Sequence, residues 1–321
     1  MLEFSSSTAT LRFRGKFKAP YWMGSMFRGA FGWNLRRISC NTFNDDCELC
    51  NLKEDCAFYY VIFRSKAKKG HAQPPKPIII IPPFFGKEMI FHDSPFLNVK
   101  LLFFGNYNRF LPHTILALNL IGREGIGSPL ATRQRLQYLP LSHKTEFSNR
   151  FIVEEVKCNL TNKTIYDGKY INLTDLKIVD FSSLSPIKLN TDNTITIGFQ
   201  TPLITNHFPL ALSELVEKVR HRFIFLVNEY GTGEKIEEFK LKSKVVNYSK
   251  HFHRLYRKSS RSTKDRFFGF TGKITYKVSE IDRTALWLLK IGTQIGAGKD
   301  LSFGFGMFDI DASNLENRKE S

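Results

Sequence analysis

The sequence has no apolar run approaching the ~20 residues a bilayer crossing needs. Its longest, IIIIPP and ALNLIG, stop at Pro82–Pro83 and at Gly122, so no membrane-spanning helix and no membrane partner are expected. The N-terminal MLEFSSSTATLRFRGKF carries an early acid and then alternates, which makes a poor secretory leader and points to the cytoplasm. Acids are scarce: 30 Asp and Glu stand against 47 Lys and Arg, a formal charge of +17. A surplus of that size favours a polyanionic partner, nucleic acid above all. Cysteines number five, four of them between Cys40 and Cys56, too local for a disulfide framework. There is no H-E-x-x-H motif to support metal-assisted hydrolysis. The Gly-rich stretch GAGKDLSFGFG, residues 296–306, is no phosphate-binding P-loop either. Thr293 stands where the first glycine should be, Asp300 follows Lys299, and a helix precedes the loop where a strand should.

What is present is enough for two cores: 321 residues, 42% hydrophobic and 14% aromatic. TATLRFRGKFKAP alternates as a strand, with Arg12, Arg14, Lys16 and Lys18 on one face and Leu11, Phe13, Gly15 and Phe17 on the other. A helix follows in YWMGSMFRGAFGWNLRR. YYVIFR, PIIII and NVKLLFFG read as strands, RFLPHTILALNLIG as a helix, and REGIGSPLATRQRLQYL as a Gly-containing loop entering a strand. The second half repeats the plan. NTITIGFQTP is a strand ending at Pro202, and PLALSELVEKVRHRFIFLVNEY a helix from near Pro209. FTGKITYKV is a strand, IDRTALWLLKIG a helix capped by Asp282, and FGFGMFDI the last strand, with Phe303 and Phe305 facing one way for core packing.

LNLIGREGIG and LLKIGTQIGAG align at Leu118/Leu288, Ile121/Ile291 and Gly122/Gly292, then at Gly125/Gly296 and Gly127/Gly298 with one residue inserted. The expected fold is therefore α+β: tandem ferredoxin-like (RRM-like) domains using the β-α-β-β-α-β order twice. The first spans residues 1–170 with a Cys-rich knuckle inserted at 40–56, and the second residues 171–321 with a Gly-rich loop at 292–306.

Candidate RNA contacts fall in patches. Arg12 and Arg14 lie on the first strand, Arg28, Arg36 and Arg37 on the first helix, and Arg123, Arg133 and Arg135 flank the first Gly-rich turn. KHFHRLYRKSSRSTKDR, residues 250–266, reads as a basic loop with interleaved aromatics, offering Arg254, Arg257, Lys258 and Arg261. Gly296, Gly298, Lys299 and Ser302 form a loop whose little-shielded amides and ammonium suit a phosphate backbone. Cys40, Cys47, Cys50 and Cys56, spaced C-x6-C-x2-C-x5-C, suit a structural zinc; an Fe–S centre, reduced thiols or local disulfides are the alternatives. The surrounding acids keep this knuckle off the RNA.

MGSMFRGAFG, CELCNLKEDCAFYYVIF, RFLPHTILALNLIGREGIG and, above all, FFGFTGKITYKV with LWLLKIGTQIGAGKDLSFGFGMFDI resemble the CRISPR repeat-RNA processing endoribonucleases of the RAMP superfamily. The resemblance implies two ferredoxin-like domains, a Gly-rich loop holding RNA backbone, and a cut in the precursor transcript without a metal or other catalytic cofactor. Attack by the 2′-OH would leave a 2′,3′-cyclic phosphate and a 5′-OH. It also implies a first-helix His, a Tyr near that helix's start and a nearby Lys. Tyr21 fits; Lys16 and Lys18 are the lysine candidates. The helix ends Arg36-Arg37-Ile38-Ser39, with no His. His251 and His253 are the substitutes from the basic stretch. A non-catalytic RNA-binding subunit, partnered by CRISPR effector proteins, is the competing expectation, and homodimer formation stays open.

Overall fold

A computed structural model describes residues 1–42, 46–68, 73–127, 147–233, 236–257 and 265–311. They form two compact units, Glu3–Val179 and Met1–Leu2 together with the chain from Asp180 onward. The first runs β1 (Glu3–Phe13), β2 (Phe17–Ala19), α1 (Gly24–Ser39), β3 (Ile78–Ile81), β4 (Met89–Phe91), β5 (Phe96–Phe104), α2 (Leu111–Glu124), β6 (Phe151–Cys158) and β7 (Thr164–Tyr166). Its main sheet has the order β3-β5-β1-β6-β7, every pair antiparallel, while β2 and β4 pair by themselves. A two-residue β8 (Val179–Asp180) precedes β9 (Thr194–Ile204), α3 (Leu212–Tyr230), β10 (Leu241–Arg257), β11 (Asp265–Ile281), α4 (Arg283–Ile295) and β12 (Phe308–Asp311). The second sheet has the order β10-β11-β9-β12, again antiparallel. Both units are mixed α+β, as expected; β1 lies beside β6, and β9 beside β12.

The helices form where apolar residues recur at helical spacing. On α1 the buried Phe27, Ala30, Phe31 and Leu35 face inward, α1 packs on α2, and Ile115, Leu118 and Ile121 of α2 are buried. On α4, Asp282 caps the first turn by accepting from the Ala285 amide at 2.8 Å. The duplicated glycines have duplicated tasks. Gly122 on α2 lies so close to β6 that a Cβ would stand 2.2 Å from the Phe151 carbonyl oxygen, and one at Gly292 on α4 would stand 2.5 Å from the Phe308 ring of β12. Both helices close on a left-handed glycine, Gly125 (φ 88°) and Gly296 (φ 74°), whose amides donate to Ile121 and Gly292.

Several sequence expectations are corrected. The alternating segment before Pro20 is two strands in different sheets: Gly15 turns the chain at φ 78°, and Phe17 folds back to stack on Phe13 at 3.9 Å. The single all-basic face is therefore broken. YYVIFR is helical, with the Arg64 amide donating to Tyr59 five residues back at 2.7 Å. Tyr59 and Tyr60 are anchored to knuckle acids Glu48 and Glu54, and Lys76 Nζ donates to the carbonyls of Ile62 and Arg64 at 3.0 and 3.2 Å. Those contacts take the side chains and carbonyls a strand would have needed. β9 passes through Pro202, which sits at a register shift where the ladder needs no donor. The second unit's first helix begins at Leu212, after Pro209. Residues 250–257, expected as loop, continue β10. Phe303 and Phe305 lie off the last strand, though both are buried.

Candidate nucleic-acid interface

The Gly-rich loop leaves α4 at Gly296 and returns to β12 through a short turn, Leu301–Phe303. Its glycines answer first to geometry. Gly296, Gly298, Gly304 and Gly306 all have positive φ, and a Cβ on Gly306 would stand 1.9 Å from the Ala297 carbonyl oxygen. The amides at its two ends are engaged within the protein: Ala297 donates to Gly306, Gly304 to Leu301, Gly306 to Pro202, and Met307 to Thr201 Oγ1. These bonds satisfy the loop's own buried backbone on either side of the apex. What faces outward is the apex: Lys299 and Asp300 are exposed, and Gly298 and Ser302 half-buried.

β10 and β11 form a long hairpin whose ladder pairs Phe252 with Phe270 and Arg254 with Phe268, so these four share a face. Phe252 and Phe268 stack at 6.1 Å and 6°, and the Arg254 guanidinium stands 5.8 Å from the Phe268 ring. Phe208 joins Phe270 to Tyr248, extending the aromatic row. Tyr248, Phe252, Tyr256 and Phe268 are each at least 42% exposed, which a packed core would not leave. Lys250 shares this face by the alternation of the strand.

His251 and His253 point to the opposite face, with Leu255 and its ladder partner Phe267. Phe267 packs on Phe303 and Phe305 at 5.5 and 5.4 Å, and Arg257 stands over Phe303 at 5.1 Å, so the base of the Gly-rich loop covers this face. Gly298 lies against Leu203 and Ile204; Ile204 pairs with Gly269, and Gly269 with His253. Two strand spacings, ~10 Å, separate Ile204 from His253 across β11. His253 Nε2 lies 2.7 Å from Thr271 Oγ1. Burial first, and the His251 charge second, hold its pKa below the ordinary histidine value.

In the first unit several of the predicted cations already have acidic partners. Arg12 is bound to Glu154 at 2.8 Å, Lys18 to Glu88 at 3.2 Å, and Arg37 to Glu124 and Asn34. Arg36 lies 5.7 Å from the Phe58 ring, beside the knuckle. Arg28 is half-buried on α1, Lys16 exposed, and the Tyr21 carbonyl accepts from Gly86. Arg14 and Arg123 are exposed and line one pocket with Arg150 and Lys169, two residues the sequence patches did not single out. Their signal was weak: single bases in unremarkable strand and turn segments. Lys16, Lys18 and Tyr21 belong to the first unit, and His251 and His253 to the second. Arg133, Arg135, Lys258 and Arg261 lie outside the described residues.

All four knuckle cysteines line a cavity of about 20 Å³, the room of one small sphere. Burial raises the Cys47 thiol pKa, the Arg36 guanidinium opposes the rise, and the charges of Cys56, Cys40 and Cys50 add to it. Among the described residues no three His, Cys, Asp or Glu side chains converge as a ready metal site.

A family profile for the AF_1859 N-terminal domain matches residues 2–173, and one for its C-terminal domain matches residues 195–310. The chain belongs to the AF_1859 family. An uncharacterized protein of Archaeoglobus fulgidus is 31% identical over 295 residues, covering 92% of this chain and 93% of that protein. Among solved structures, a Cas6 product complex matches with TM-score 0.52 at 15% identity, over 95% of this chain and 99% of that one. Thermus thermophilus Cas6 matches with TM-score 0.50 at 14% identity, over 97% and 99%. This AF_1859-family chain therefore has the fold of Cas6 along nearly its whole length, as the resemblance to CRISPR repeat-RNA processing endoribonucleases led one to expect. No described helix is long and apolar enough to cross a membrane.

Proposed function

We propose that the chain is an endoribonuclease that cuts CRISPR repeat RNA within its precursor transcript, with no metal in the chemistry. The observation that carries this reading is the end-to-end fold likeness to a Cas6 captured with its product. The strand orders β3-β5-β1-β6 and β10-β11-β9-β12 support reading both units as ferredoxin-like. The exposed aromatic row with Lys250 and Arg254 suits unstacked bases and phosphates.

In the proposed step the RNA 2′-OH attacks the adjacent phosphorus, forming a 2′,3′-cyclic phosphate as the bond to the 5′-oxygen breaks. His253, kept neutral by burial, takes the 2′-OH proton. His251, two residues along the same face, protonates the departing 5′-oxygen. Lys299 and the Gly298 amide, at the loop apex, stabilise the added charge on phosphorus. Tyr21, Lys16 and Lys18 keep the positioning and charge-stabilising roles the resemblance gives them, with Lys18 already drawn to Glu88. Of the other predicted contacts, Arg14, Arg28, Arg36, Arg123 and Arg257 serve the RNA backbone. CRISPR effector proteins and a second copy of the chain are the proposed protein partners.

The test is incubation with cognate repeat RNA in excess EDTA. The expected result is one cut, with a cyclic phosphate on one fragment and a 5′-OH on the other. The end of α1, which carries no His, favours a second reading: an RNA-binding subunit that does not cut. Tight binding with intact RNA would decide for it.

We propose further that the knuckle holds a structural zinc. The donor set is four thiols around one small cavity, with the Arg36 guanidinium opposing the burial that raises the Cys47 thiol. The ion would draw Cys40, Cys47, Cys50 and Cys56 together and takes no part in the cut.

A further inference from the structure

The first unit carries a second basic site, apart from the Gly-rich loop and the hairpin. Between α2 and strands β6 and β7 lies an open pocket of about 700 Å³. Ligand sites for small molecules run from roughly 300 to 1,000 Å³, so the volume suits one nucleotide and is too small for a length of duplex. Arg14, Arg123, Arg150 and Lys169 line it. Arg14, Arg123 and Lys169 are exposed and Arg150 half-buried, so their charges reach solvent at the rim.

The two acids in the lining do not neutralise those arginines. Glu154 is held by Arg12 at 2.8 Å. Asp167 accepts from the amides of Lys169 and Tyr170 at 2.9 and 2.8 Å, closing the turn between β7 and Ile171. Lys169 lies near that carboxylate, whereas no acceptor among the described residues holds the side chains of Arg14, Arg123 or Arg150. Three guanidinium groups around one recess are a costly arrangement unless an anion joins them, because like charges repel and a planar fork prefers a paired acceptor.

The inner wall adds polar groups in fixed positions. Tyr166 Oη donates to the Gly168 carbonyl at 2.8 Å and receives the Asn119 amide at 3.3 Å. Both residues are presented by regular elements, α2 and β7. The β6 segment Arg150–Glu154 closes the recess on one side, with the Phe151 ring turned into the core against Phe13 and Phe27. A recess with arginines at its rim and amide and phenol groups on its wall fits a phosphate and a polar sugar or base edge.

We infer that this pocket holds one unstacked nucleotide of a single-stranded segment of the bound RNA, with Arg123 and Arg150 on its phosphates. The inference rests on the RNA-processing reading above and adds to it a subsite on the first unit. Duplex cannot offer a base to such a recess, so the subsite selects a flanking single strand over a stem.

The test is fluorescence anisotropy with labelled single-stranded repeat RNA across a salt series, comparing the intact chain with Arg123→Ala/Arg150→Ala. The expected result is at least a tenfold weaker affinity at fixed salt. Each lost phosphate contact lowers the log–log salt slope by ~0.7 for single strands, so the double change should flatten it by ~1.4. Arg123→Lys/Arg150→Lys should keep most of the slope while losing affinity, since charge remains and the fork is gone. A melting curve checks that each variant is folded. Arg14→Glu, on an exposed side chain, probes the same pocket if the double change unfolds the chain. A folded double variant with unchanged affinity and slope overturns the inference while leaving RNA processing intact. Competition by an acidic peptide in place of RNA would overturn it as well. A wild-type chain that binds no repeat RNA sinks the processing reading, and this subsite with it.

Discussion

His253 shows how surroundings set the protonation of one side chain. Its sequence context, HFHRLYR, offers two histidines in a basic stretch. In the folded chain, burial and the neighbouring His251 hold it neutral at physiological pH. A lowered pKa means the neutral form persists into more acidic solution, so cleavage that needs a neutral His253 should be level near pH 7. It should fall only as the pH drops through a value below 6.5. Replacing His251 with Ala removes a like charge, raises the His253 pKa and should move that acidic limb to higher pH. His253→Ala should lower the single-turnover rate ~100-fold or more, the usual worth of a general base. An acidic limb that stays in place in His251→Ala would dismiss the coupling between the two rings. Residues also find partners that the sequence does not announce. Arg12 and Arg37 looked free in the sequence, yet they pair with Glu154 and Glu124, 142 and 87 positions away. Such distant pairings leave no local trace.

At the scale of elements, the knuckle is the part whose chemistry stands out from sequence and whose local structure did not. Four cysteines in 17 residues announce a shared site. The helical course of YYVIF, which follows it, depends on Tyr59 and Tyr60 reaching back to Glu48 and Glu54. Burial first and those carboxylates second push both phenols up to about 12, so they stay neutral donors at any ordinary pH. The knuckle acids are thus tethers for the next element as well as a negative screen. Elemental analysis should find about one zinc per chain, and a strong chelator or Cys47→Ser should lower the melting temperature of the first unit. A chain containing no metal, with a melt indifferent to both, would remove the zinc. The hairpin shows the opposite mismatch. Its charges and aromatics were visible as a list, but read as a loop they had no faces. Once β10 pairs with β11, alternation sorts them into an aromatic row on one side and the histidines on the other.

For the whole molecule, Gly122 and Gly292 are a matched pair. Each lets a helix, α2 or α4, press against the strand that follows it, β6 or β12. The neighbours differ in kind: a new methyl at Gly122 meets the Phe151 backbone, whereas one at Gly292 meets the ring tip of Phe308 and a methyl of Val219. Backbone cannot yield as a side chain can. Gly122→Ala should therefore destabilise the chain by ~1–3 kcal/mol, the usual range for overpacking, and Gly292→Ala by less, as read from urea midpoints. Equal effects would argue that the two contacts are not tight in the way their geometry suggests.

The sequence by itself determined the fold class, the repeat, the basic character and the local cysteine site, because periodicity, composition and spacing are written along the chain. It also marked the Gly-rich loop as special. Only the tertiary structure decided what those glycines are for: most hold positive φ and close approach, leaving a short apex at Gly298 and Lys299 open to solvent. It likewise decided which cations are already paired, and it gathered Arg14, Arg123, Arg150 and Lys169 around one pocket. The reason is physical. Hydrogen-bond satisfaction, ion pairing and the lining of a recess depend on neighbours that only folding brings together.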